Sequence, residues 1–381
     1  MTPPPESPPL VSVVTPSLNQ GRFLRHAIDS VLAQTSVPVE LLVMDGGSTD
    51  ETLDVLATYG DRIRWVSEPD DGQSDAINKG FALCRGEILA WLNADDVYLP
   101  GAIERGVAEL EHHPRADLVY GRGAILDAEG RETGPFAGIE PFNLWRLLHG
   151  LDYVLQPATF FRRAAFEAVG ELDRDLHYAM DWDLWIRLAG HGEVRFIDQV
   201  LAGSREYGDT KTATGGWRRI RELARLVQRH TGRRFSPGVK LYALDTLRRQ
   251  WGAALPPLAG AVDSAVAFAS RRIMQATPVH ADGWLGPQAA LVVPRRWGSF
   301  AVTLEAHRIP SSGRFAVRFA TRRGPLGTWI VERPGAETLR FVLPSDLAET
   351  FVDVRVESDF AFSTREDRRR LAVRCSELRP A

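Results

Sequence analysis

From Leu10 onward, short apolar runs alternate with stretches of helical periodicity, and this alternation restricts the possible folds more than any other feature of the chain. Val11 to Thr15 reads as a strand, and Phe23, Ala27, Ile28, Val31 and Leu32 then mark one helix face. The pattern repeats, with strands near Val39 to Met44, Ile63 to Val66, Ile88 to Leu92 and Leu118 to Tyr120. Helices are expected near Thr52 to Tyr59, Ser74 to Cys84 and Ala102 to Glu111. Such alternation predicts an α/β fold, a Rossmann-like and mostly parallel sheet with helices on both faces. Ligands of these sheets gather where loops converge at the carboxyl ends of the strands, so the strand ends are the places to search.

After Gly121 the rhythm changes to loops, a Trp/Leu/His segment around Leu144 to Tyr153, and a helix near Asp181 with Leu184, Trp185 and Leu188 inward. These complete a first domain expected to cover residues 10–215. A helix follows from Trp217 to Arg234, with Trp217, Ile220, Leu223, Ala224 and Val227 on one side and mostly arginine on the other. More helix continues to Met274, giving a helical segment over 216–275. Beyond it, Phe315, Val317 and Phe319, and then Val352, Val354 and Val356, alternate with polar residues between Gly and Pro turns. That pattern predicts a small β-sandwich over 276–381. Residues 1–9 are Pro-rich and acidic, a disordered leader without the features of a secretory signal.

The length of 381 residues fits two or three domains, and 44% hydrophobic with 25% charged residues is an ordinary soluble composition. A net charge of −3 argues against a nucleic-acid partner. Leu255 to Ala269 contains Pro256, Pro257 and Asp263 and falls short of a bilayer span, so no transmembrane helix is expected. Cys84 and Cys375 lie outside any metal-ligand or redox spacing, and read as reduced thiols of a cytoplasmic protein.

Four polar constellations fall at the expected strand ends. Asn93-Ala94-Asp95-Asp96 follows the strand Ile88 to Leu92 and precedes Pro100, a plausible helix start. Its carboxylates suit Mg²⁺ or Mn²⁺, which bind through one or two acids and fill their remaining positions with phosphate oxygens; a solvated turn capping the next helix is the plain alternative. Met44-Asp45-Gly46-Gly47-Ser48-Thr49-Asp50 offers close backbone approach at Gly46 and Gly47 and an acceptor at Asp45 for a base or ribose. The alternative there is a tight turn with Asp50 as helix cap. The first strand supplies Thr15, Ser17 and Asn19 beside the same crevice, and neither a GxGxxG nor a GxxxxGK[ST] loop occurs. In Asp70 to Gly80, Asp75 and Lys79 stand four apart on one helix face, pointing at nucleotide or sugar, or forming an ordinary ion pair. Finally, Met180-Asp181-Trp182-Asp183 places a carboxylate at a helix start, either an N-cap or a base for an acceptor hydroxyl.

In their order these segments resemble the family 2 inverting glycosyltransferases of the GT-A fold, over roughly Leu10 to Thr212. The resemblance implies that Val13 to Asn19 is the opening strand, Asp45 the base-binding acid, and Asp95 with Asp96 the metal-binding DXD-type pair, preceded by Asn93. It implies a nucleotide diphosphate sugar as donor and Asp181 as the catalytic base, with the preceding acid of the usual pair replaced by Met180 and its helper role absent or passed to Asp183. Where many members carry a downstream histidine, this chain reads Ser204-Arg205-Glu206-Tyr207, leaving Arg205 or Tyr207 as substitutes. The implied acceptor is a glycan or lipid-linked glycan of bacterial surface polysaccharide assembly.

Trp145, Tyr153, Trp182 and Trp185 read mainly as core, with one or two available to stack on sugar, and His149, His177 and His191 read as structural. The arginine face of 217–234 fits either a solvated surface or peripheral contact with anionic lipid at the inner face of a membrane. The C-terminal domain resembles sandwich modules appended to bacterial glycosyltransferases, with Asp282 to Pro287 and Asp367-Arg368-Arg369 as landmarks; glycan binding, homo-oligomeric assembly and simple buttressing remain open for it. Two other functions compete: a nucleotidyltransferase, which needs a basic Gly-rich first loop that Thr15 to Gln20 does not supply, and a glycan-binding protein with a degenerate first domain.

Overall fold

The computed structural model describes residues 10–149, 152–207, 211–254, 259–275, 279–347, 349–363 and 369–381. The expected leader over 1–9, Pro256-Pro257 and the Asp367-Arg368 landmark lie outside the described residues. The chain divides into two compact units, one holding residues up to Phe142 together with Asp152–Gly215, the other Asn143–Leu151 together with Gly216 onward.

The first unit is built on one sheet. Its strands are β1 (Val11–Ser17), β2 (Val39–Asp45), β3 (Arg64–Ser67), β4 (Ile88–Trp91), β5 (Val97–Tyr98), β6 (Ala116–Leu126), β7 (Glu132–Pro135), β8 (Thr159–Arg162) and β9 (Glu193–Arg205). Its helices are α1 (Gly21–Leu32), α2 (Thr52–Ala57), α3 (Gln73–Leu83), α4 (Ala102–His112), α6 (Arg163–Val169), α7 (Met180–His191) and α8 (Lys211–Thr214), while α5 (Leu144–His149) belongs to the second unit. The strand order is β3-β2-β1-β4-β8-β6-β9-β5, with β7 paired to β6. β3, β2, β1 and β4 run parallel, as the βα alternation requires. Beyond β4 the sheet is mixed: β8 is antiparallel to both β4 and β6, and β5 to β9, while β6 and β9 are parallel. The departure from a mostly parallel sheet begins where the βα rhythm stops: among the described residues of Gly121 to Gln156 the α-helix present, α5, belongs to the second unit.

Every residue of β1 and of β4 is buried, as expected of strands covered on both faces. Ser12 is tolerated there because its hydroxyl donates to Glu40 at 2.6 Å and accepts from the Gly86 amide at 2.7 Å. Helix α3 lies close on β1 because position 80 is glycine: a Cβ there would stand 2.6 Å from Val14 Cγ1. An aromatic core joins the elements, with Phe81 edge-on to Phe161 and the Trp91 ring stacked on Trp185 at 5.3 Å and 15°. Trp145, Tyr153, Trp182 and Trp185 are all buried, so none of the four offers a face to a sugar. His149 packs on Trp145, and His191 pairs with Asp117 at 2.5 Å.

The second unit contains α9 (Gly216–Thr231), α10 (Pro237–Ala254) and α11 (Ala259–Gln275), and then two four-stranded antiparallel sheets. The sheets face each other through Phe319 and Phe341, whose rings lie 4.7 Å apart. Val352, Val354 and Val356 are buried while Asp353 and Arg355 are exposed, the alternation that defines a half-buried strand. In α9, Ile220, Leu223, Ala224 and Val227 are buried as expected, but Trp217 is 40% exposed, its indole N–H donating to Gln250 at 2.9 Å. Among the described residues no helix is long and apolar enough to cross a membrane.

Candidate active site

At the ends of β1 and β2 the two loops are stitched together by side chains. Asn19 adopts a left-handed φ of 53°, which asparagine tolerates, and its side-chain oxygen accepts from the Thr49 amide at 2.8 Å. Its own backbone N–H donates to Ser48 Oγ at 2.7 Å. Asp50 accepts from the Gly21 and Thr52 amides, each at 3.0 Å, so it does cap the turn into α2. Asp45 is buried at 2% exposure, and Ser48 and Ser67 donate hydroxyls to it while the Gly47 and Ser48 amides donate at 3.2 and 3.1 Å. Glycine is needed at both positions for reasons internal to the chain: a Cβ at Gly46 would lie 2.6 Å from an Asp70 carboxylate oxygen, and Gly47 has φ +86°. Thr15 and Ser17 differ from these neighbours, because both are buried and neither hydroxyl has a hydrogen-bond partner.

In helix α3 Asp75 and Lys79 are paired with each other. Asp75 is 2% exposed, and it pairs with Lys79 at 3.1 Å and Arg174 at 2.8 Å while accepting from the Asp71 amide. Burial alone would raise its pKa, but the Asp71 amide, Lys79 and Arg174 together hold it below the ordinary carboxylate value. Lys79 also reaches Glu68 at 3.2 Å. The ion pair foreseen as the plain alternative is thus present, and Asp75 ties α3 to the 174 segment instead of presenting an open acceptor to a ligand.

The loop after β4 carries the acid pair, and the two carboxylates differ. Asp96 is 4% exposed; one oxygen accepts from the Asn93 amide group at 3.0 Å and the other from the Arg205 backbone N–H at 3.1 Å. Burial first, and then the adjacent Asp95 charge, push its pKa up to about 7 against the pull of those donors. Asp95 is half-buried and accepts from the Tyr207 hydroxyl at 2.8 Å. Burial and the Asp95 charge push the Tyr207 phenol up to about 12, so it is a neutral donor at physiological pH. The Arg205 guanidinium is committed to the carbonyls of Asp95, Asp127 and Ala128. Of the two substitutes considered for the missing histidine, Tyr207 is the one whose side chain bonds a carboxylate of the acid pair, while that of Arg205 bonds the Asp95 carbonyl.

A relay of amides surrounds this loop: Lys211 donates to Gln73, Gln73 to Asn93, Asn93 to Gln156, and Gln156 to the Trp91 carbonyl, at 2.9, 2.8, 3.0 and 2.7 Å. Gln73, Gln156, Lys211 and Arg174 received no role from the sequence. Each is a lone polar residue far along the chain from its partner, so only its position could reveal it. Among the described residues, no group of three His, Cys, Asp or Glu side chains is arranged to hold a metal.

Asp181 opens α7, which the Trp91–Trp185 stack fixes to the core. It is half-buried, with Oδ1 accepting from the Trp182 amide at 2.8 Å. Met180, in the place of the usual preceding acid, is buried with its sulfur accepting from Ser74 Oγ at 2.9 Å. The first turn of α3 therefore holds both the acid loop, through Gln73, and the start of α7, through Ser74. Asp183 is buried and paired with Arg187 at 2.7 Å.

Residues 12–170 match the family described as Glycosyl transferase family 2. A PGL/p-HBAD biosynthesis glycosyltransferase of Mycobacterium tuberculosis is 33% identical over 207 residues, covering 52% of this chain and 78% of the relative. An uncharacterized glycosyltransferase of Rickettsia felis is 34% identical over 215 residues, covering 53% of this chain and 35% of the relative. The chain belongs to glycosyltransferase family 2. It spans about a third of the length of the Rickettsia felis relative. Staphylococcus aureus TarS, solved with UDP-GlcNAc, superposes with a TM-score of 0.47 at 16% identity, covering 64% of this chain and 72% of that one.

Proposed function

We propose that this chain transfers a sugar from a nucleotide diphosphate sugar to an acceptor hydroxyl in a single displacement that inverts the anomeric centre. The observation that carries the reading is the adjacent acid pair Asp95 and Asp96 in the loop after β4, the strand parallel beside β1, with Asp95 half-buried and accepting from the Tyr207 hydroxyl. In this reading Thr15, Ser17 and Asn19 border the nucleotide, and Gly46 and Gly47 let it approach the backbone. Asp45 receives the base N–H once the Ser48 or Ser67 hydroxyl gives way. Asp75 and Lys79 stiffen the wall of the site from α3, and Asn93 orients the acid loop.

The donor set of two adjacent acids fits a hard divalent cation whose remaining positions are filled by phosphate oxygens. Mg²⁺ or Mn²⁺ held by Asp95 and Asp96 would neutralise charge on the departing diphosphate. Asn93 and the Arg205 amide fix Asp96, and the Tyr207 hydroxyl positions Asp95. Asp181 accepts the proton of the acceptor hydroxyl as that oxygen attacks the anomeric carbon, and the bond from that carbon to the diphosphate oxygen breaks. Residues 10–215 form the catalytic domain in this reading, followed by the helical segment 216–275 and the sandwich 276–381.

The Mycobacterium tuberculosis relative is named for PGL/p-HBAD biosynthesis. A glycan or lipid-linked glycan acceptor in bacterial surface polysaccharide assembly is the acceptor class we adopt, with a cytoplasmic site of action. The test offers α-linked UDP-, GDP- and dTDP-sugars with a panel of lipid-linked and free glycan acceptors, and reads the new linkage by proton NMR. A β-linked product supports the proposal. A retained configuration, or transfer to proteins or soluble small molecules alone, contradicts it.

A further inference from the structure

The segment 216–275 carries twelve Lys and Arg against three acids, Glu222, Asp245 and Asp263, a net charge of +9 in a chain whose total is −3. The two acids that are not buried, Asp245 and Asp263, offset charge around Arg248 and Arg249. Glu222 is buried, Asp245 is paired with Arg248 and Arg249 at 3.0 and 2.9 Å, and Asp263 stands 3.7 Å from Arg248. On α9, Arg218, Arg221, Arg225 and Arg229 are exposed and recur at helical spacing. Arg233 and Arg234 extend the row past the end of the helix, and Lys240 is exposed on α10.

The same segment leaves apolar surface uncovered. Helix α11 is rich in Ala, Val and Phe, yet none of its described side chains is buried. Phe268 is 61% exposed, Trp251 on α10 is 56% exposed, and Phe235 between α9 and α10 is 69% exposed. A groove of about 470 Å³ runs between α10 and α11, lined by Leu241, Val266 and Ala267 together with the Asp245–Arg248–Asp263 cluster. Single exposed apolar residues are commonplace, but an apolar helix left open beside large aromatic rings marks a surface that meets a partner.

We infer that the surface of residues 216–275 docks on an anionic lipid bilayer, lying in the interface with Phe235, Trp251 and Phe268 inserted among the head groups and the arginines on the lipid phosphates. Charge complementarity selects this occupant. A two-fold contact with a second copy sets the same patch against itself and so brings +9 against +9, whereas an anionic leaflet attracts each basic side chain near its surface. Long arginine side chains beside aromatic rings are the composition of helices that lie at the membrane interface instead of spanning it. The inference does not depend on the transferase reading.

The full chain is floated with vesicles of phosphatidylglycerol and, separately, of phosphatidylcholine, over a range of sodium chloride concentrations. The expected result is capture by phosphatidylglycerol alone, weakening steadily with salt. The Trp251→Ser/Phe268→Ser double variant loses about tenfold or more in binding through lost apolar insertion. Arg221→Gln and Arg225→Gln each lose about fivefold. Unchanged far-ultraviolet circular dichroism and unfolding midpoint in these surface variants separate lost docking from lost folding. Equal capture by both lipids, capture by neither, or full capture of the folded double variant overturns the inference. So does a dimer in sedimentation velocity that the double substitution dissociates, because the surface would then belong to a second copy.

Discussion

The two units use charge in opposite ways. In the first, Asp45, Asp75 and Asp96 are nearly sealed from solvent, and each carboxylate is held by named donors. In the second, the basic residues of α9 stand in solvent. Buried charge with every partner assigned fixes atoms to within a hydrogen-bond length, which group transfer requires. Exposed charge of one sign makes a field that recognises a class of surface without fixing any atom. The comparison therefore predicts that substitutions in the first unit abolish chemistry and leave lipid binding intact, with the reverse in the second.

The largest effect is expected at Asp181. Asp181→Asn should lower kcat by about a thousandfold, the scale of a lost general base, with donor KM and vesicle capture unchanged. A loss of less than tenfold in steady-state transfer would remove Asp181 from the proton-accepting role. Packing comes next. A Cβ at Gly106 would fall 2.3 Å from the Phe160 ring, so Gly106→Ala should cost about 1–3 kcal/mol in urea unfolding. At Gly260 on α11, a Cβ meets nothing within 4 Å, and the same change there should be neutral or slightly stabilising. Equal costs at the two positions would erase the contrast in packing.

A third effect concerns Asp96 in the metal-free protein. Its folded pKa of about 7 lies above the ordinary value of 3.8, so between those limits the folded state holds more protons than the unfolded. Stability is therefore lost as pH rises from about 4 to 7. In EDTA, the Asp96→Asn variant should show an unfolding midpoint that declines less over this range than that of the parent. Parallel midpoint curves would place the buried proton elsewhere.

The sequence made the parallel half of the sheet readable because β1, β2 and β4 are short, mostly apolar runs that alternate with helical periods. It left β8 and β9 unread. β8 is four residues long and flanked by helix on both sides, and most of β9 is half-exposed without regular alternation. The candidate site was legible where residues are neighbours in the chain, as in Asn93 to Asp96. It was opaque where partners lie far apart: Tyr207 meets Asp95 across 112 positions, and Gln156 meets Asn93 across 63. Asp75 and Lys79 were foreseen as a pair, but Arg174, which turns that pair into a buried tie between segments, left no local signal. The sequence showed helix continuing to Met274, but not that none of the described side chains of α11 is buried.

The central claim is that the loop after β4 binds a nucleotide diphosphate through a divalent cation. Isothermal titration of UDP, GDP and dTDP into the full chain, with and without Mn²⁺, tests it in the parent and in Asp95→Asn. The account predicts that one nucleotide binds at least about tenfold more tightly with Mn²⁺, the scale of a modest phosphate–metal contact, and that Asp95→Asn removes this gain. Binding of equal strength with and without Mn²⁺, unchanged in Asp95→Asn, would contradict it, as would no binding of any of the three.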